Sequence, residues 1–152
     1  MILQQRSALL VEDNRDFSDI FQRLLAPWKL EIETATSLSS ALEITSRRSF
    51  DLYAIDLNLA DGDCADLLLR LAARGEPTTS RCILVTAFPL IATAYTAFPI
   101  VSKTQLSSLG PHLFRILGDP FEVASEAQEP LHDAEPVQRR PNPENPSLSA
   151  LR

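Results

Sequence analysis

Short apolar runs alternate with stretches of helical periodicity from Ser7 to Leu117, and no other feature narrows the possible folds as far. SALLV (7–11), DLYAID (51–56) and RCILVT (81–86) are too short for globular helices and read as strands buried on both faces. LEIETA (30–35) alternates like a strand with one wet face, and PIVSK (99–103) is a short fifth strand. Between these runs, Phe17, Ile20, Phe21, Leu24 and Leu25 recur at helical spacing, with Asn14 as cap and Pro27 as stop. Ser37 caps a second helix carrying Leu38, Ala41, Leu42 and Ile44. Asp63 caps a third, through Leu67, Leu68 and Leu71, that ends near Gly75-Glu76-Pro77. Apolar residues at helical spacing from Leu106 to Leu117 close the series. Strands alternating with helices require parallel pairing, right-handed crossovers and helices on both faces, which is a doubly wound α/β fold. AFPLIATAYTAF (87–98) is short and holds a proline, so a short turn or irregular crossover is expected there rather than a full helix.

The composition changes at Asp119. The segment 119–152 is rich in Pro, Glu and Ser and has few large apolar residues. It cannot bury enough surface to offset its ordering entropy, so the expected division is a domain over 1–118 and a disordered tail over 119–152. The formal charge is −6, with no basic stripe, which argues against nucleic-acid binding. No apolar run reaches the length of a membrane span, and MILQQRSALLVEDN lacks the marks of a signal peptide. A cytoplasmic protein is expected. Cys64 and Cys82 have no metal-ligand spacing and read as free thiols. Cys82 belongs to the core, whereas Cys64 stands at a helix start, where a thiol pKa can fall. Trp28 is expected to cover the base of the core.

The polar residues at the strand ends form a pattern. Glu12 and Asp13 follow the first strand, Asp56 ends the third, Thr86 ends the fourth and Lys103 ends the fifth. In open parallel sheets, ligands bind at this carboxyl edge. Adjacent strands lie close enough to bring three carboxylates together, where they repel unless a cation joins them. Oxygen-only ligands suit a hard divalent ion, and Mg2+ fits a site with few carboxylates. A carboxylate beside such an ion can still act as a nucleophile toward phosphorus. Thr86 can donate to a phosphoryl oxygen and Lys103 can neutralise another.

This arrangement resembles the receiver domain of bacterial two-component response regulators. The matching residues are Glu12-Asp13 after LLV, Asp56 in DLNLADGD, Thr86-Ala87 in LVTA, and Lys103 in PIVSK, over about Ser7 to Leu117. The resemblance implies a five-stranded sheet of flavodoxin-like order 2-1-3-4-5. It also implies a phosphoacceptor at Asp56, assisted by Thr86 and Lys103. Mg2+ would be held by Glu12, Asp13, Asp56 and the backbone carbonyl of Asn58. The implied donor is a histidine kinase or a histidine phosphotransfer protein, and the implied output is contact with a downstream protein target. Three departures stand out. Thr104 replaces the proline usual after the lysine, Ile100 replaces the switch aromatic, and the fourth helix is short or absent. TAFPLIATAYTAFPIVSK is similar to a FATGY-type subset of single-domain receivers that lacks the aromatic switch. Tyr95 is a candidate substitute for that aromatic.

The leading expectation is a stand-alone phosphoreceiver, not a turnover enzyme, whose own chemistry is limited to self-phosphorylation and slow autodephosphorylation. The alternative is a pseudoreceiver, an adaptor that accepts no phosphate and acts only by protein interaction. A phosphohydrolase of the haloacid dehalogenase type would need a second Asp two residues after the nucleophile. Asn58 stands there, and an amide cannot exchange the proton.

Overall fold

The apolar runs of the sequence become the strands of one parallel sheet. In the computed structural model of the protein, residues 4–89, 94–95 and 97–121 are described. Their elements are β1 (Ser7–Val11), α1 (Arg15–Leu25), β2 (Glu31–Ala35), α2 (Leu38–Arg47), β3 (Leu52–Asp56), β4 (Asn58–Leu59), β5 (Gly62–Asp63), α3 (Ala65–Ala73), α4 (Thr78–Arg81), β6 (Cys82–Thr86), β7 (Ile100–Ser102) and α5 (Leu109–Leu117). The sheet runs β2-β1-β3-β6-β7, every pair parallel. With the small antiparallel β4–β5 hairpin set aside, this is the expected order 2-1-3-4-5.

Alternation along the strands divides the core in two. Leu9, Val11, Tyr53, Ile55 and Leu84 face α2 and α3, packing with Ala41, Leu67 and Leu71. Ala8, Leu10, Leu52, Ala54, Ile83 and Val85 face α1 and α5, packing with Phe21, Leu25, Leu109 and Leu113. All five residues of β1, β3 and β6 are buried, whereas the edge strand β2 is buried only at Ala35. Trp28 closes the base of the second layer. Its indole N–H donates to the Gly118 carbonyl at 2.8 Å, and its ring meets Phe114 edge-on at 5.6 Å.

Local chemistry explains the helix starts. Asn14 Oδ1 accepts the Phe17 N–H at 3.0 Å and caps α1. Ser37 and Ser40 form a reciprocal capping box on α2. Asp61, reaching in from the β4–β5 turn, accepts the Leu38 and Ser39 N–H groups at 2.8 and 3.0 Å. These bonds hold the Asp61 carboxyl below its usual pKa. Asp63 accepts the Ala65 N–H at 2.9 Å, but α3 begins one residue later than its expected cap implies, because Asp63 is paired with Asn58 in the hairpin. At the other end of α3, Gly75 takes φ +80°, and the Glu76 N–H reaches back to the Leu71 carbonyl at 3.0 Å. This left-handed stop needs glycine.

Two further differences from the sequence reading involve helices. Arg81 belongs to the one-turn helix α4 rather than to the fourth strand, since its N–H bonds the Pro77 carbonyl at 3.1 Å. The last helix is divided: Leu106–Ser108 form a 3-10 turn, and α5 starts at Leu109 with Pro111 in its first turn, where a missing N–H is tolerated. The expectation of a shortened fourth helix falls partly on residues 90–93 and 96, outside the described residues; among the described residues of 87–98 none is α-helical. The expected disorder over 119–152 falls almost entirely outside them too. No helix among the described residues is long and apolar enough to cross a membrane.

Candidate functional site

The strand register carries the predicted polar residues to one edge. β1 and β3 pair Val11 with Ile55, so Glu12 and Asp56 leave the sheet side by side. β3 and β6 pair Asp56 with Val85, and β6 and β7 pair Thr86 with Ser102. The Lys103 N–H then bonds the Thr86 carbonyl at 2.8 Å, which fixes the start of its side chain beside the acidic group. All five residues of the sequence pattern therefore stand at the carboxyl edge, where the Glu12, Asp13, Asp56 and Lys103 side chains come together and Thr86 adjoins through its backbone.

Glu12 and Asp56 are only 3% and 4% exposed, and Asp13 is exposed. One oxygen from each of the three lies within 4.8 Å of the others. Lys103 Nζ bridges the buried pair, 2.7 Å from Glu12 Oε2 and 2.9 Å from Asp56 Oδ2. The remaining oxygens are held by backbone: Glu12 Oε1 accepts the Asn14 N–H at 3.0 Å, and Asp56 Oδ1 accepts the Asn58 N–H at 2.9 Å. Thr86 is fully buried, and its Oγ1 accepts the Phe88 N–H at 3.0 Å, which leaves the hydroxyl hydrogen to donate.

Burial pushes the Glu12 carboxyl above its usual pKa, and the Asp56 charge adds to this against the pull of Lys103. Lys103 is also raised: burial pulls it down, but its bonds to Glu12 and Asp56 outweigh that. One ammonium gains from two carboxylates, whereas each carboxylate has only a share of it. The buried pair thus carries more negative charge than its one cation offsets, and exposed Asp13 adds more beside it. An all-oxygen set with excess negative charge suits a hard divalent cation such as Mg2+.

Some contacts around the site were not legible in the sequence. Phe17, half-buried on α1, lies under Lys103, its ring centroid 4.5 Å from Nζ. The only sequence signal was an aromatic in the first turn after the acidic pair. Tyr95, from the β6–β7 crossover, donates its hydroxyl to Asp63 Oδ1 at 2.6 Å. That bond helps to hold the Asp63 carboxyl low, whereas burial and Asp63 together push the Tyr95 hydroxyl up. Tyr95 therefore ties the crossover to the hairpin that follows Asp56. Ile100, in place of the family's switch aromatic, is half-buried and packs on the α2–α3 side of the core. Thr104 donates its N–H to Ser102 Oγ at 3.3 Å, a bond no proline could make.

The lowered thiol pKa that a helix start can give is not found at Cys64. Cys64 is completely buried, and burial, followed by the charge of Asp63, pushes its thiol up to about 12. Desolvation outweighs any benefit of the helix start. Cys82 is likewise buried and raised to about 12. Both cysteines are free.

Comparison with known proteins agrees with this geometry. The response regulator receiver domain family matches residues 8–103. A curated relative, the response regulator protein PilR of Pseudomonas aeruginosa, is 27% identical over 150 residues, covering 99% of this chain and 33% of its own length. The chain thus spans about a third of that relative. Among solved structures, a CheY-like receiver domain from Methylobacillus flagellatus is 30% identical, with a TM-score of 0.63, covering 74% of this chain and 99% of its own. The receiver domain of a sensor histidine kinase from Pseudomonas aeruginosa, solved with a magnesium ion coordinated in the active-site cleft, shares the fold at 20% identity and a TM-score of 0.64, covering 76% of this chain and 100% of its own.

Proposed function

This chain belongs to the response regulator receiver domain family, and we propose that it accepts a phosphoryl group on Asp56 from a phosphohistidine donor and signals through protein contacts. The observation that carries the proposal is the bridging of Asp56 and Glu12 by Lys103, with Asp13 beside them. Asp56 ends a central strand, almost buried, with a carboxylate that closes no helix. Its place is accounted for if that carboxylate reacts.

An Asp56 oxygen forms a bond to phosphorus as the donor's phosphorus–nitrogen bond breaks, and the leaving imidazole takes a proton. The product is an acyl phosphate. Lys103 is within reach of the new phosphoryl oxygens, and the Thr86 hydroxyl offers them a hydrogen bond. Glu12, Asp13, Asp56 and the Asn58 backbone carbonyl would hold Mg2+, which supplies positive charge between the carboxylates and the incoming phosphoryl group. A magnesium ion in the cleft of a fold relative supports this assignment. The proposed donor is a histidine kinase or a histidine phosphotransfer protein, and the proposed output is a protein target.

The pseudoreceiver reading draws on Ile100, which packs as ordinary core where common receivers carry the switch aromatic. The two readings separate in one experiment. The purified chain is incubated with a small phosphodonor, with and without Mg2+, and its intact mass is recorded. A single phosphoryl adduct that forms only with Mg2+ is expected. Mg2+ binding without any adduct, from either the small donor or a phosphorylated histidine phosphotransfer protein, would favour the adaptor.

A further inference from the structure

We propose that Phe17 is a positioning residue for Lys103, holding the ammonium between Glu12 and Asp56 by presenting an aromatic face to it. The inference rests on the phosphoreceiver reading for its effect on rate, but not for its structural content.

An ammonium has three hydrogens and accepts nothing. Two are directed to Glu12 Oε2 and Asp56 Oδ2, at 2.7 and 2.9 Å. The Phe17 ring lies against the same ammonium, its centroid 4.5 Å from Nζ, within the range of a cation–π contact. Lysine has a flexible stem, and its charge alone would not hold it in one place.

Phe17 is itself fixed by the residues it serves. Its N–H is bound by Asn14 Oδ1 at 3.0 Å, and the Asn14 N–H is bound by Glu12 Oε1 at 3.0 Å. Its ring packs on Phe21, at 6.1 Å between centroids, and on the α1–α5 side of the core. Glu12, Asn14, Phe17 and Lys103 thus form a closed ring of contacts. Helix α1 is seated against the acidic pair by the same cap that sets its own start. When Asp56 accepts a phosphoryl group, Lys103 has to transfer one bond to a phosphoryl oxygen. An aromatic face permits this, because the contact is not tied to one hydrogen direction.

The test compares Phe17→Leu, which keeps apolar volume but loses the aromatic face, with Phe17→Tyr, which keeps both. In wild type, the ring current should shift the Lys103 side-chain NMR signals, and the ammonium hydrogens should exchange slowly with water. Phe17→Leu should abolish the shift and speed the exchange, and Phe17→Tyr should preserve both. Phosphoryl incorporation from a small donor at saturating Mg2+ should slow about tenfold in Phe17→Leu and recover in Phe17→Tyr. Unaltered Lys103 signals in Phe17→Leu would overturn the proposal, as would equal rates in the two variants. If wild type takes no phosphoryl group, the phosphoreceiver reading fails, while the NMR comparison still decides the role of Phe17.

Discussion

Asp56→Asn is expected to abolish phosphoryl incorporation and, at the same time, to make the protein more stable. The first effect is chemical, since an amide oxygen is too weak a nucleophile to displace a phosphohistidine leaving group. The second follows from the electrostatics of the buried pair. Glu12 and Asp56 are both nearly inaccessible to water and share one ammonium. In Asp56→Asn, Lys103 belongs to Glu12 alone, and the Asn side-chain oxygen can still accept the Asn58 N–H. One like-charge contact disappears, for a gain on the order of 1 kcal/mol. The pH dependence should change as well. Glu12 has a raised pKa in the folded protein, so its favourable contribution is complete below the ordinary value of 4.5 and is lost as the pH rises through the folded value. Neutral pH therefore carries a penalty that Asp56→Asn relieves in part. Urea denaturation of both proteins at neutral pH and near pH 4 checks this: the gain should be larger at neutral pH. A variant less stable than wild type at neutral pH would contradict the account.

Lys103→Ala should act in the opposite direction and more strongly. It leaves two buried carboxylates without their cation, and removing one member of a buried pair typically costs about 3–5 kcal/mol. Because the Lys103 side chain is 18% exposed, water can enter the vacated space. The lower end, about 3 kcal/mol, is the expected loss. Lys103 has a raised pKa when folded, so its contribution is present below the ordinary value of 10.5 and is lost as the pH rises through the folded value. The wild type should therefore lose this stabilisation in strong alkali, and Lys103→Ala should not. Mg2+ should stabilise Lys103→Ala more than wild type, because the ion replaces part of the missing charge and binds only the folded site. Phosphoryl incorporation should slow by roughly a hundredfold, the usual cost of losing one charge-stabilising group. Denaturant titrations with and without Mg2+, together with the rate of adduct formation, measure these effects. Equal stability of Lys103→Ala and wild type in the absence of Mg2+ would show that the bridge contributes nothing.

What the sequence disclosed depended on how local the determining interaction is. SALLV, DLYAID and RCILVT read as buried strands, and Asn14 and Ser37 act within three residues of themselves, so strands, to within a residue, and first caps were legible. The site was legible for a different reason. A doubly wound sheet turns positions at strand ends into spatial neighbours, so Glu12, Asp56, Thr86 and Lys103 could be grouped before any contact was known. Long-range contacts were hidden. Asp61 capping α2 spans more than twenty positions, and no local pattern links Tyr95 to Asp63 or Phe17 to Lys103. The state of the Cys64 thiol was hidden for the same reason. A helix start is visible in sequence, but the packing that buries the thiol comes from elsewhere in the fold. The β4–β5 hairpin escaped because ADGD reads equally well as an open turn, and it closes through the pairing of Asn58 with Asp63 and of Leu59 with Gly62.

The central claim is that Asp56 is the residue that takes the phosphoryl group. The most direct measurement is to phosphorylate the wild-type chain in Mg2+, reduce it with borohydride and map the product by peptide sequencing. Reduction of an aspartyl phosphate leaves homoserine, so conversion at position 56 alone is the predicted result. A phosphoryl group found on Thr86 or any other residue, with Asp56 unconverted, would contradict it.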